Sequence, residues 1–483
     1  MAAVGIEKVA RIFSTRASTA ILIVAVAILA FLVRILPLKW GFYLSEFDPY
    51  WHYYVAKHIV NYGFDWIFKP GSWIDTRTWY PYGRDVTSTT PMGLPLTAVA
   101  LYYLVKGFNI SLLQVVMFVP PLMASLTTIA IYFLGCEVGN RNVGLLSALF
   151  LALSPAYIDR TVLGFFKHEC VGILAIVLAS YFFLKSLRAE KWRLSILYAV
   201  FAGLSLGYLN ISWGASYYLM ALLPLFTIIL ILAGKHSPKL TLAYTITIIL
   251  GIIVALPFPR PGIQVIASMG GLPAILGFIF LGVYEGARRF KLPHPRLTAV
   301  ILSLALTVIG ALILVLTGAF APLATKFIAI VNPLVRGATQ QGIIVESVAE
   351  HRVGTWSLFY RGFGNLLFFG VLGLFLALKR RSIQDVYLLV FPLTALYAAA
   401  SFARLNLILA PAVCLLAAYG ISELVGSASK TLRGLEGKAK ASSLKPALAI
   451  IVIVGLLVGL TFVSAVDAAE VPATIAAAGT PLK

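Results

Sequence analysis

Apolar runs long enough to cross a bilayer recur along almost the whole chain, from residue 20 to residue 466. A helix needs about 20 apolar residues to span the hydrocarbon. In lipid every backbone group must be satisfied within its own segment, so such runs fold as helices. The expectation is an all-α polytopic membrane protein with about 13 spans. They are residues 20–36, 112–134, 143–157, 171–187, 194–209, 215–232, 240–256, 263–283, 297–316, 358–378, 386–400, 405–424 and 446–466. Composition agrees: of 483 residues, 60% are hydrophobic and 12% charged, against about 25% charged in a soluble domain. The net charge of +20 would suggest a nucleic-acid partner in a soluble protein. Here the charge sits in short loops between apolar runs, which orientation in a membrane explains without nucleic acid. Three cysteines, Cys136, Cys170 and Cys414, are too few for a disulfide framework.

Basic clusters set the orientation. Lys8, Arg11 and Arg16 precede the first span, which puts the N-terminus in the cytoplasm. The apolar stretch 92–105 is short and follows Pro91. Read as an interfacial or re-entrant piece, it leaves every later basic cluster inside, from Arg141 through Lys379–Arg381 to Lys445. The C-terminus is then external. Residues 1–466 form the transmembrane domain, with external loops at 39–111 and 317–355 and a short external tail at 467–483. The chain shows no convincing internal repeat, which weakens a transporter built from inverted halves.

Acidic residues contribute little to orientation, so their positions need another reason. Asp48 lies in S-E-F-D-P-Y-W-H, Glu169 in G-F-F-K-H-E-C and Glu350 in V-E-S-V-A-E-H. All three fall on the outer side at one depth. Each alone also fits a solvated loop residue. Together they could converge on a divalent cation, since Mg²⁺ and Mn²⁺ prefer oxygen ligands. His52, His168 and His351 lie beside them, although a lone loop histidine is usually not a ligand. Arg404, in S-F-A-R-L-N-L at the outer end of a span, either grips phosphate with its fork or snorkels to lipid headgroups. Trp40, Trp51, Trp66, Trp73 and Trp79 crowd the first outer loop as an interfacial belt or as platforms for sugar rings.

Several stretches together resemble one family. E-F-D-P-Y-W-H-Y-Y-V-A-K-H-I-V-N-Y-G (46–63), W-Y-P-Y-G-R (79–84), R-T-V-L-G-F-F-K-H-E (160–169), S-W-G (212–214), S-V-A-E-H (347–351) and R-L-N-L-I-L-A-P (404–411) are similar, in order, to motifs of the catalytic subunit of oligosaccharyltransferase. The resemblance implies a GT-C glycosyltransferase fold. It also implies transfer of an oligosaccharide from a polyprenyl phosphate or pyrophosphate to Asn of N-x-Ser/Thr sequons, on the outer face of a prokaryotic plasma membrane, with archaea the source the family suggests. By that similarity Asp48 and Glu350 are catalytic. Asp48, Glu169 and His168 hold Mn²⁺ or Mg²⁺, and Arg404 with Trp213 holds the lipid phosphate. The loop 317–355 is expected to be mobile and to order on substrate.

Two departures stand out. Where the family carries an acid two residues before its last ligand, this chain has Lys167. A charged lysine cannot ligate and opposes a nearby cation, so a metal there needs His168 or a water instead. The W-W-D-Y-G motif that reads the sequon in a soluble C-terminal domain is not in the sequence. Three readings stay open: a separate subunit supplies it, acceptor choice differs, or the sequence is a membrane-domain fragment. The alternatives to sequon transfer are a GT-C enzyme with a lipid or another protein residue as acceptor, and a non-catalytic membrane partner.

Overall fold

The computed structural model describes residues 15–316, 348–434 and 444–470. Sixteen helices carry the described fold: α1 Arg16–Arg34, α2 Phe47–Tyr62, α3 Gly93–Val105, α4 Leu112–Val138, α5 Arg141–Leu153, α6 His168–Arg188, α7 Trp192–Ser212, α8 Ser216–Leu232, α9 Pro238–Ala255, α10 Gly271–Arg289, α11 Pro295–Leu316, α12 Trp356–Phe363, α13 Leu366–Arg380, α14 Ile383–Ser401, α15 Asn406–Gly434 and α16 Leu444–Glu470. Short helical turns fill some of the connections. A two-residue antiparallel ladder, β1 Ile74–Asp75 with β2 Arg84–Asp85, closes the outer loop after α2.

Eight described helices are long and apolar enough to cross a membrane, or nine if α12 and α13 count as one span broken by a 92° bend. Three of the thirteen expected spans differ from these because the chain itself interrupts the run. The run 143–157 stops at Leu153 because Pro155 disfavours helical backbone at Ser154. At about 1.5 Å per residue, α5 then covers about 20 Å of a core about 30 Å thick. The run 358–378 bends at Gly364, whose φ of +49 favours glycine. The run 263–283 begins as a tight turn over Gly262–Val265 and becomes regular helix only at Gly271. The stretch after Pro91 is helix α3, also too short to span.

Start signals are local. Ser111 and Gln114 form a capping box on α4, as Ser382 and Asp385 do on α14. Packing then sets positions. Helix α7 lies against α6 and α9; α4 against α1, α5 and α6; and α15 against α5, α13 and α14. Apolar residues of nearly all these helices form one core, and a smaller cluster joins Ala30 and Val33 of α1, Ala152 of α5, Phe165 and Ala465 of α16.

Candidate functional site

The segment 159–167, between α5 and α6, is threaded back through the ends of its neighbours. Leu163 N–H donates to the Arg34 carbonyl (2.9 Å), Gly164 N–H to the Met117 carbonyl (3.1 Å), and Ser45 N–H to the Gly164 carbonyl (3.3 Å). Gly164 sits at φ +81, and a Cβ there would lie 2.5 Å from the Tyr43 carbonyl oxygen, so no other residue permits this approach. The last of these bonds sets Lys167 beside Glu46 and Asp48.

Beneath the segment Arg34 is fully buried. Its Nε donates to Thr161 Oγ1 (2.7 Å) and its Nη1 to the carbonyls of Ala30 (3.0 Å) and Ala152 (2.9 Å), while the guanidinium faces the Tyr157 ring. The sequence reading passed over this residue as the end of an apolar run. A cation inside a span is expensive and usually functional, and that signal could have found it.

Lys167 bridges two carboxylates: its Nζ is 2.7 Å from Glu46 Oε2 and 3.0 Å from Asp48 Oδ2. The Lys167 side chain is 10% exposed and that of Asp48 64%, so Asp48 stands at the mouth with the ammonium behind it. Burial pushes the lysine down, but the charges of Glu169, Glu46 and Asp48 outweigh burial and hold the ammonium above its ordinary range. Glu169 is buried on the first turn of α6.

Glu350 accepts from Arg160 Nη1 at 2.7 Å. One residue on, His351 Nε2 accepts from Arg404 Nη1 at 3.1 Å, and Ala403 N–H donates to the Arg352 carbonyl. Residues 348–354 of the long outer loop are therefore tied to the turn that carries Arg404; residues 317–347 of that loop and 471–483 of the tail lie outside the described residues. Asp48, Glu169, Glu350 and Arg404 thus meet in one charged cluster through Lys167, Arg160 and His351. Trp213 is buried, its ring over Gly172, where a Cβ would lie 2.3 Å away. It packs behind the turn bearing Glu169. Arg84 lies over the Trp51 ring, 4.1 Å from its centroid, on the flank facing Asp48.

Burial raises the Glu350 carboxyl, and the Arg160 guanidinium, with the charges of Lys167 and Arg404, outweighs burial, so the group sits below its ordinary 4.5. A depressed carboxylate stabilises the folded chain above the unfolded value, and that contribution is lost as pH falls through the lower folded value. Thermal unfolding followed from pH 7 downward should show a loss of stability in the acid range that Glu350→Gln lacks. Parallel curves for the two proteins would contradict the pairing.

Whether these residues fit the expected divalent cation can be tested on the donors. His52 and His168 stack edge-on at 4.1 Å, each with an Nδ1 sealed from solvent and without a hydrogen-bond partner. Burial, with His168, Lys167 and Arg84 acting the same way, pushes His52 well below its usual range, so it is neutral. Two neutral imidazoles could ligate. Of the carboxylates they would need, Asp48 is engaged by Lys167, and among the described residues no three His, Cys, Asp or Glu side chains converge on one point. The arrangement does not fit a resident divalent ion.

Comparison with known proteins agrees with this architecture. The model of the family described as oligosaccharyl transferase STT3, N-terminal, matches residues 17–417. The chain is 29% identical over 435 residues to the dolichyl-diphosphooligosaccharide–protein glycosyltransferase subunit STT3B of Arabidopsis thaliana, covering 87% of this chain and 58% of that protein. It is 31% identical over 414 residues to subunit STT3A of Oryza sativa subsp. japonica, covering 82% and 51%. Archaeal oligosaccharyltransferase AglB from Archaeoglobus fulgidus, solved with an inhibitory peptide and a dolichol-phosphate, shares the fold with a TM-score of 0.76 at 21% identity, over 95% of this chain and 56% of that one. A structure of the A. fulgidus enzyme with Zn and sulfate gives a TM-score of 0.68 at 20% identity, over 93% and 53%. The chain spans between half and two thirds of the length of these relatives. It is a multi-pass membrane protein of the GT-C oligosaccharyltransferase fold, and it belongs to the oligosaccharyl transferase STT3 family.

Proposed function

We propose that the chain transfers an oligosaccharide from a polyprenyl phosphate or pyrophosphate to the amide of Asn in N-x-Ser/Thr sequons. The observation that carries this reading is the meeting of Asp48, Glu350 and Arg404, from three distant segments, in one cluster joined by Lys167, Arg160 and His351. The relatives' names, and the A. fulgidus complex with peptide and dolichol-phosphate, support the same donor and acceptor classes here.

The chemistry follows from the side chains. An amide nitrogen is a poor nucleophile because its lone pair is delocalised into the carbonyl. Asp48 and Glu350 accept from its two N–H groups and weaken that conjugation. The nitrogen then attacks the anomeric carbon from the face opposite the phosphate, a carboxylate takes the amide proton, and the C–O bond breaks with its electron pair leaving on the phosphate. Arg404 pairs with the departing phosphate oxygens through its fork. Trp213 supports the Glu169 turn from behind. Mn²⁺ or Mg²⁺ at Asp48, Glu169 and His168 is the sequence's expectation, Lys167 stands against it, and no step here runs through a metal.

The reading includes a cytoplasmic N-terminus, an external C-terminus and an extracytoplasmic site in a prokaryotic plasma membrane. The test is transfer by the purified chain from its native lipid donor to a fluorescent N-A-T peptide. A gel shift of the peptide is expected. Labelled sugar on lipid, or on a residue other than the sequon Asn, would overturn the acceptor assignment.

A further inference from the structure

We infer that Lys167 is this chain's built-in counter-cation: its ammonium occupies the place between Glu46 and Asp48 that a bridging metal ion would take, and it sets the orientation of Asp48 in that ion's stead. The inference rests on the glycosyl-transfer reading for the role of Asp48 and on geometry for everything else.

An ion bridging Glu46 Oε2 and Asp48 Oδ2 would lie where Nζ already sits, 2.7 and 3.0 Å from them. The ammonium has three donors, and two are spent on these acids. Glu169 adds a third negative charge nearby. One buried cation paired with two carboxylates, with the charge of a third nearby, is the electrostatic setting of a metal site, filled here by a side chain. Position is held from both sides. The backbone of Lys167 accepts from Cys170 N–H and donates to the Phe165 carbonyl, and its Nζ lies 5.2 Å from the Phe165 ring centroid. A divalent ion entering this space would have to expel the ammonium or sit beside it. Both are costly in a half-dry site, where a divalent ion and an ammonium repel with little screening. Replacing lysine by glutamate changes the local charge by about two units at neutral pH, the charge of one divalent ion. Lys167 touches Asp48 and not the reacting atoms, so it is a positioning residue.

The experiment titrates Mn²⁺ into the purified, membrane-reconstituted chain and reads free Mn²⁺ from its EPR spectrum. Wild type is expected to leave the free-ion signal as in buffer. Lys167→Glu should bind Mn²⁺ at least about tenfold more tightly than wild type, a difference of about 1.4 kcal/mol. Lys167→Gln, which removes the charge and keeps much of the length, should shift in the same direction by less, and it decides the matter if the Glu variant fails to fold. In transfer, wild type should be indifferent to EDTA, and Lys167→Glu should become dependent on added Mn²⁺. Stoichiometric Mn²⁺ binding by wild type that Asp48→Ala abolishes would overturn the inference, as would folded Lys167 variants that bind no more Mn²⁺ than wild type. Failure of transfer under every condition would count against the glycosyl-transfer reading alone, because the Mn²⁺ titration does not depend on turnover.

Discussion

An Asp48→Ala chain is expected to fold as wild type does and to transfer glycan at least about 10²-fold more slowly, the cost typical of removing one preorganised group that acts on a transition state. The two halves of this expectation have separate causes. The Asp48 side chain is 64% exposed, and its ion-pair partner Lys167 keeps Glu46 at 2.7 Å when the aspartate is gone. An exposed ion pair contributes about 0–1 kcal/mol, so the melting temperature should barely move. The rate should collapse because Asp48 is the carboxylate at the mouth, and Glu169, which is buried, cannot take its place beside Glu350. Initial rates with a sequon peptide, beside a melting curve for each protein, separate the two. A folded variant that transfers at the wild-type rate would remove Asp48 from the mechanism.

The second large effect is on stability. Arg34→Ala should destabilise the fold by about 3 kcal/mol or more, the sum expected from a core cavity and from buried acceptors left without donors. Thr161 Oγ1 and the carbonyl of Ala152 each lose their Arg34 bond. Ala152 lies near the C-terminus of α5, where carbonyls lack helical partners. Activity should fall as well, although Arg34 faces no substrate. The segment that presents Arg160 and Lys167 is fixed to α1 through Thr161 and through the Arg34 carbonyl. Arg34→Lys should recover only part of the stability, since one ammonium cannot reproduce the fork that serves a hydroxyl on one nitrogen and two carbonyls on another. Equal melting temperatures for wild type and Arg34→Ala would show that the anchor is dispensable.

Asp48, Glu169, Glu350 and Arg404 were each legible because a charge at the end of an apolar run has few structural reasons to be there. Their mutual pairing was not. Lys167 read as an obstacle to a metal site, and in the folded chain it is the partner of Glu46, 121 residues away. Arg160 read only as part of a motif, and it pairs with Glu350, 190 residues away. Trp213 is expected at the lipid phosphate, and its packing over Gly172 on the first turns of α6 was not legible in the sequence. The breaks at Ser154–Pro155 and Gly364 were written in the sequence as proline and glycine, yet hydropathy averaged over a window passed across them.

By itself, then, the sequence determined that this chain lives in a membrane as a bundle of helices and that its charges gather at helix ends. Transfer of apolar area and satisfaction of the backbone act within each segment, so they can be read one segment at a time. Only the tertiary structure decided which charge faces which. A salt bridge needs two atoms within about 4 Å, and that distance is set by how α1, α4, α5 and α6 pack and by a glycine that lets two backbones touch at Tyr43 and Gly164.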